Sequence, residues 1–253
     1  MPRFIECDTF RQRQSKIAAS HRTGDPRVQD PYTLRCIPQV LGAVRDTIAH
    51  CTRVVELELG AVTDNPLCFP DGEVLSGGNF HGQPVALALD ILAIAVAELA
   101  AFSERRTYLL LDDREVGPDR LPHFLAHDPG LNSGYMVAQY TAAALVAENA
   151  VLAAPAGVHS LPTCAGMEDF VSMGATAANK LRVVLRNAQR VVAIELLCAS
   201  AGVEFRRPLR AGAGVECGVA AVRALVPPLV RDRVLQPEIE AIAEAVRAGN
   251  FAI

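Results

Sequence analysis

Apolar residues recur at three- and four-residue spacing along most of the chain after residue 31, which is the period of a helix with one buried face. The first such segment carries Leu34, Val40, Leu41, Val44, Ile48 and Val55. Three longer helical stretches follow, at 84–111, 132–154 and 168–203. Few segments alternate with a period of two, and aromatic residues make up only 5% of the chain, so a β-sheet has little support. The pattern predicts an all-α protein.

The predicted helices are long for a chain of 253 residues. A helix of about 30 residues rises ~1.5 Å per residue and exceeds the diameter of a typical domain. Their faces are rich in alanine, so we expect a long-helix bundle that packs on other subunits in a multi-subunit helical core.

The chain divides into an arm and one helical domain. Residues 1–28 are polar and show no sustained period, whereas residues 29–253 carry the helical pattern. Asp30 followed by Pro31 is typical of an N-cap and a first helical residue. Pro38 should then kink or restart that helix.

A dense polar group stands at this helix start. Gln29, Tyr32 and Arg35 are three residues apart, so a helix beginning at Asp30 would carry them on one side. The guanidinium could bind a carboxylate through two hydrogen bonds, and the phenol could move a proton. On spacing alone, the simpler alternative is a capped helix with Arg35 in a surface ion pair.

Composition excludes several function classes. The net charge of −4 and the lack of a Lys/Arg block argue against nucleic acid as a partner. The start MPRFIECDTFRQRQSK has no apolar signal-peptide run, so we expect a cytoplasmic protein. The most apolar stretch, 84–102, contains Asp90 and Glu98, which predicts a buried helix and no membrane span. Seven scattered cysteines without a CxxC pair indicate reduced thiols and no metal site.

Two further segments are ambiguous on their own. SGGNFHG at 76–82 could cradle an anion, but it lacks a GxGxxG or Walker pattern, so a structural turn fits equally well. His81 could be a base or ligand, although no second ligand stands at metal spacing. Glu168 and Asp169 would begin a long helix, where N-terminal acids favour the dipole.

Five motifs in order carry a resemblance to a known family. They are VQDPYTLRC, TDNPL, SGGNFHG, LNSGYM and LPTCAGMEDFVSMG. Together they resemble the second half of the histidine ammonia-lyase family, within a wider class of aromatic amino acid ammonia-lyases and aminomutases. The resemblance runs from about Ser20 to the C-terminus and implies an all-helical fold with active sites shared among four subunits.

The same resemblance implies a prosthetic group that this chain does not make. Family members use a methylidene-imidazolone (MIO) ring formed from an Ala-Ser-Gly triad in the first half, which is missing here. The nearest match, Ala199-Ser200-Ala201, ends in alanine where ring closure calls for glycine. The resemblance therefore implies a partner chain that carries the triad and supplies the ring, with no metal.

Two origins fit a chain of this kind: a natural subunit of a split enzyme, or an expression fragment. A free arm before the first motif favours the natural subunit. We expect four copies of each chain in a hetero-octamer that acts on a small amino acid. The alternatives are a 2,3-aminomutase that makes a β-amino acid and a non-catalytic structural partner of a lyase complex.

The resemblance also implies roles for single residues. Tyr32 and Glu168 are the expected catalytic residues, Tyr32 beside the ring and Glu168 facing the substrate's imidazole and amine. The expected substrate-binding residues are Gln29, Arg35, Asn65, Phe80 and Met167. Arg35 would pair with the substrate carboxylate. Glu168 argues for histidine or another polar side chain, whereas Met167 and Phe170 replace polar residues of histidine enzymes and leave the substrate open.

Overall fold

The computed structural model describes residues 15–16, 29–112 and 121–251. These residues form seven α-helices, a short β-hairpin and two 3-10 turns. The helices are α1 Tyr32–Arg35, α2 Ile37–Leu59, α3 Gln83–Leu111, α4 Met136–Leu152, α5 Gly174–Phe205, α6 Ala213–Leu225 and α7 Gln236–Arg247. The predicted all-α class is confirmed. The predicted arm, 1–28, lies outside the described part of the chain except for residues 15 and 16.

The first helix start differs from the prediction. Pro31, not Asp30, occupies the N-cap position, with extended backbone at φ −65° and ψ 161°, and no side chain caps the helix. Helix α1 is a single turn that stops at Arg35, and α2 begins at Ile37. Pro38 lies in the first turn of α2, where its missing N–H costs nothing, so the predicted restart at this proline is confirmed.

Two of the three long helices have nearly the predicted ends, but the third begins late. Helix α5 starts at Gly174 and not at residue 168. Residues Thr163 and Glu168 form an antiparallel bridge instead. Met173, with φ +57°, stands in the left-handed region immediately before the helix, which a right-handed helix cannot include. Glu168 and Asp169 therefore precede α5.

The chain folds as two compact units. Unit 1 comprises Met1–Leu41, Leu99–Ala147 and Asn187–Ile253, and unit 2 comprises Gly42–Glu98 and Glu148–Arg186. In unit 1 the central part of α5 is its most buried element, with Val191, Ile194 and Leu197 fully inaccessible. Helices α6 and α7 pack against each other in this unit.

Unit 2 is centred on the first half of α3, where small residues such as Ala86, Ala88 and Ala93 are buried. Asp90 is only 2% exposed. Its two carboxylate oxygens accept backbone N–H groups of Ala156, at 2.9 Å, and Gly157, at 2.7 Å. The loop after α4 is thereby anchored to α3.

Helix α3 is long and apolar enough to cross a membrane, judged by length and composition, and 39% of its most apolar window is buried. A buried carboxylate bound by backbone N–H groups is a feature of a helix inside a folded protein. Asp90 thus fits the interpretation of α3 as a core helix.

Candidate active site

The expected carboxylate-binding group lies on helix α1. Tyr32 is 70% exposed, and the Arg35 guanidinium stacks over its ring with the central carbon 5.0 Å from the ring centroid. This contact follows from their i, i+3 spacing. Within the described ranges Arg35 has no carboxylate partner, so the surface ion pair considered above is not formed there. Gln29 lies before the helix, which corrects the prediction that all three residues share one helical face.

A hairpin shapes the loop between α2 and α3. Strands β1 Leu67–Cys68 and β2 Val74–Leu75 pair antiparallel, with Leu67 opposite Leu75 and Cys68 opposite Val74. The Asp71 carboxylate accepts the Glu73 N–H at 3.1 Å, and Gly72 takes φ +89°. A Pro-Asp-Gly sequence favours such a turn, because aspartate closes it by its side chain and glycine adopts the left-handed conformation.

Asn65 holds the glycine-rich segment that follows this hairpin. Its side-chain oxygen accepts hydrogen bonds from the Ser76 hydroxyl, at 3.1 Å, and the Gly77 N–H, at 3.0 Å. Its amide nitrogen has no partner in the described part of the chain and can donate to a ligand. Asn79 adds a second link through the Val62 carbonyl, at 2.6 Å. The conformation of the turn at 76–82 is therefore fixed by side-chain hydrogen bonds of Asn65 and Asn79.

Phe80 stands at this turn and is 54% exposed. The turn closes with a hydrogen bond from the His81 N–H to the Gly78 carbonyl, at 3.1 Å. An exposed aromatic ring on a fixed turn is suited to contact with a ligand or a partner chain.

His81 joins this turn to the segment that carries Glu168. Its Nε2–H donates to the Phe170 carbonyl at 3.0 Å, and the two rings stack with centroids 6.0 Å apart. Because a carbonyl can only accept, Nε2 is the donor in this bond. The sequence carried no signal for this contact, since the acceptor is a main-chain group 89 residues away.

Residues 160–173 form a tight loop before α5. Thr163 and Glu168 exchange two backbone hydrogen bonds, of 2.8 and 3.3 Å. The chain reverses between them through Cys164, Ala165 and Gly166, which all have positive φ. Left-handed non-glycine residues are costly and often mark ligand sites. The Ser160 hydroxyl oxygen accepts the Val171 N–H at 2.8 Å and closes the base of the loop.

The tip of the loop presents Met167 and Glu168. Met167 is 84% exposed, and Glu168 is also exposed. The Thr163 hydroxyl donates to Glu168 Oε2 at 2.5 Å. Across the described ranges the other oxygen, Oε1, has no partner, and it can accept a hydrogen bond from a ligand.

The expected site residues fall into two groups. Gln29, Tyr32 and Arg35 belong to unit 1. Asn65, Phe80, Met167 and Glu168 belong to unit 2, where His81 links the Phe80 turn to the Glu168 loop. No cluster of three or more His, Cys, Asp or Glu side chains that could hold a metal occurs in the residues described.

Comparisons with known proteins show the family to which the chain is similar. The family model for aromatic amino acid lyases matches residues 8–224. Histidine ammonia-lyase from Symbiobacterium thermophilum is 57% identical over 231 residues, which are 91% of this chain and 45% of that protein. The enzyme of the same name from Deinococcus radiodurans is 55% identical over 238 residues, 94% of this chain and 45% of that protein.

Solved structures show the same fold. Histidine ammonia-lyase from Trypanosoma cruzi superposes with a TM-score of 0.83 at 46% identity, covering 88% of this chain and 44% of that one. Tyrosine aminomutase from Streptomyces globisporus gives 0.84 at 38% identity, covering 99% and 46%. The chain spans about half the length of the relatives it matches. Because the family model covers most of its residues, the chain belongs to the aromatic amino acid lyase family.

Proposed function

We propose that this chain is the C-terminal-half subunit of a cytoplasmic, MIO-dependent ammonia-lyase that eliminates ammonia from an L-amino acid. A separate chain would supply the N-terminal half, including Ala-Ser-Gly. One observation carries the proposal. The chain spans only about half the length of the relatives that it matches, and yet it holds the motif residues Tyr32, Arg35, Phe80 and Glu168.

The internal Ala199-Ser200-Ala201 triplet does not fit as a source of the ring. It lies inside the 32-residue helix α5, and Ser200 is only 3% exposed. Helical backbone N–H groups are held in hydrogen bonds and are not free to attack a neighbouring carbonyl. This supports a ring that comes from a partner chain.

The exposed groups of this chain suit a ring and an amino acid brought by that partner. The ring supplies an electrophile that activates the substrate's amine for departure. Arg35, without a carboxylate partner in the described ranges, binds the substrate carboxylate through two hydrogen bonds. Tyr32 holds or moves a proton at its phenol oxygen, and Phe80 borders the site with an apolar face.

Substrate choice rests on the Glu168 loop. The open Oε1 of Glu168 accepts a hydrogen bond and so favours L-histidine or another side chain with a donor. Met167 and Phe170, 84% and 57% exposed, add apolar surface beside it. A substrate with an aromatic ring that also carries an N–H or O–H meets both demands.

A second candidate is a 2,3-aminomutase, in which the released ammonia adds back to the β-carbon. The observation in its favour is the similarity to tyrosine aminomutase from Streptomyces globisporus, with a TM-score of 0.84 over 99% of this chain. Product analysis separates the two, because a lyase releases an unsaturated acid and ammonia, whereas a mutase releases a β-amino acid.

The first prediction concerns assembly. Co-expression with a first-half chain of the family should give a hetero-octamer, four copies of each, in which the partner has lost two waters. Only this complex should release ammonia. Native and intact-mass spectrometry measure the stoichiometry and ring content, and coupled assays measure ammonia.

The matched control is a partner with its triad serine replaced by alanine, which should assemble without a ring and without turnover. Ammonia release by this chain alone would contradict the split enzyme. A complex with a complete ring and no turnover of any amino acid would instead indicate a structural partner.

A further inference from the structure

We propose that Thr163 is a positioning residue that orients the Glu168 carboxylate toward a hydrogen-bond donor on the substrate's side chain, and so sets substrate choice. The inference deepens the proposed function and rests on it. It starts from the backbone of the loop that carries both residues.

The bridge between Thr163 and Glu168 fixes their side chains next to each other. The two residues exchange both backbone hydrogen bonds, the Thr163 N–H to the Glu168 carbonyl at 2.8 Å and the Glu168 N–H to the Thr163 carbonyl at 3.3 Å. Residues paired in this way project from the same face of the ladder. The hydroxyl and the carboxylate therefore meet without help from any other element.

The side-chain contact then selects one carboxylate oxygen. Thr163 Oγ1 donates to Glu168 Oε2 at 2.5 Å, within the range of a charge-assisted O–H···O⁻ bond. Threonine is branched at Cβ and has few rotamers, so its hydroxyl is a stiff donor. With Oε2 engaged, Oε1 is the acceptor left for a ligand.

The loop that carries this pair is held at both sides. Ser160 binds the Val171 N–H at 2.8 Å, and His81 binds the Phe170 carbonyl at 3.0 Å. The second bond ties the loop to the turn of Phe80, the residue expected to border the substrate. The direction of the carboxylate is therefore set relative to Phe80 within unit 2.

An oriented acceptor has a defined consequence for specificity. A site built to hydrogen-bond a substrate group rejects analogues that lack the group, because its own polar atom is then left unpaired. Both Thr163 and Glu168 are exposed in the chain, so their bond adds little to folding stability. Its loss should appear in substrate preference.

The experiment uses the assembled enzyme and compares wild type with Thr163→Val and Thr163→Ser. Valine keeps the branched shape and removes the hydroxyl, whereas serine retains it. We measure kcat/KM for L-histidine, which has a side-chain N–H, and for L-phenylalanine, which has none. Crystal structures of the three forms report the Glu168 rotamer.

Wild type should prefer histidine, and Thr163→Val should lower the histidine-to-phenylalanine ratio by about tenfold, the size expected for a hydrogen bond to a charged group. Thr163→Ser should keep most of the ratio. An unchanged ratio in Thr163→Val, an equal loss for both substrates, or a wild type that prefers phenylalanine would overturn the proposal.

The crystal structures of wild type, Thr163→Val and Thr163→Ser test the role of Thr163 independently of the proposed function. If the wild-type complex released ammonia from no amino acid, the proposed function would fail. The positioning role would then be decided by the Glu168 rotamer. It should be single in wild type and Thr163→Ser and spread over several positions in Thr163→Val. The same rotamer in all three forms would overturn the role of Thr163.

Discussion

Arg35 and Glu168 carry opposite charges and differ in how their surroundings hold them. Glu168 has one oxygen bound by Thr163 at 2.5 Å, which restricts the direction of the other. The Arg35 guanidinium stacks on the Tyr32 ring, at 5.0 Å from the ring centroid, and has no carboxylate partner among the described residues. A guanidinium stacked on an aromatic ring keeps its hydrogen-bonding edge open. Glu168 therefore offers a ligand one acceptor oxygen of restricted direction, whereas Arg35 offers an open edge of hydrogen-bond donors.

The prediction for Arg35 follows from its fork of donors. Arg35→Lys keeps the charge but loses the two parallel hydrogen bonds. In the assembled enzyme we expect kcat/KM to fall by an amount equivalent to about 2–4 kcal/mol, as for truncation of a desolvated charge pair. Ring content, followed by absorbance, should stay normal. A loss under about 1 kcal/mol would identify Arg35 as a surface residue.

Helix α6 shows how a single carboxylate anchors an element. Glu216 in its first turn accepts hydrogen bonds from Arg207, at 2.7 and 2.8 Å, and from the Ala211 N–H, at 2.7 Å. The hydrogen bonds from Arg207 are the main reason that the pKa of Glu216 is lowered to about 2, followed by the bond from Ala211. The ion pair closes the turn between α5 and α6.

This anchor predicts a pH dependence of stability. Because the folded pKa of Glu216 lies below its ordinary 4.5, the stabilisation is complete above pH 4.5 and is lost as the pH falls toward 2. Glu216→Gln should lower the free energy of unfolding at neutral pH by about 1 kcal/mol, the upper value for a partly exposed pair. The free energy of unfolding of this variant should also depend less on pH as the pH falls from 4.5 toward 2.

The matched control is Glu244→Gln in α7, whose carboxylate pairs with Arg247 and is 61% exposed. Denaturant unfolding at several pH values measures both variants. A Glu216→Gln curve parallel to wild type below pH 4.5 would show that this carboxylate does not stabilise the fold.

Many large apolar side chains are exposed in the part of the chain that the structure describes. Only 39% of the most apolar window of α3 is buried, and Leu87 and Ile94 on that helix are 50% and 46% exposed. Leu59 at the end of α2 and Val151 on α4 are 82% and 75% exposed. Apolar surface of this extent is typical of an assembly interface. It supports the proposal that helices of this chain pack on other chains.

The corresponding prediction uses Ile94. Ile94→Arg places a charge on this surface and should dissociate the assembled enzyme into smaller species, because the charge would lose its water at an apolar interface. Ile94→Leu conserves volume and should assemble normally. Light scattering after size exclusion measures the mass. An Ile94→Arg complex with the mass of wild type would contradict the prediction that α3 lies in an interface.

The helices could be predicted because their signal is local. The 3.6-residue period and the residues that interrupt it placed α3 and α4 within a few residues of their observed ends. The five motifs identified the family, which the family model confirmed. One error is also local in origin. The Asp30-Pro31 pair predicts an N-cap at Asp30 and a first helical residue at Pro31, whereas Pro31 is itself the N-cap and the helix begins at Tyr32.

The start of α5 and the hydrogen bonds of His81 and Asp90 could not be predicted. They depend on residues that are distant in the chain or on backbone conformations and backbone atoms that no sequence pattern marks. Helix α5 begins six residues late because Thr163 pairs with Glu168 and Met173 takes a left-handed conformation. His81 binds a main-chain carbonyl 89 residues away, and Asp90 binds N–H groups more than 60 residues away. Every residue type has the backbone carbonyl and every type except proline has the N–H, so no sequence pattern marks the group that is used. Hydrophobic periodicity thus specified the helices, whereas only the folded chain determined which backbone atoms orient the side chains of the candidate site.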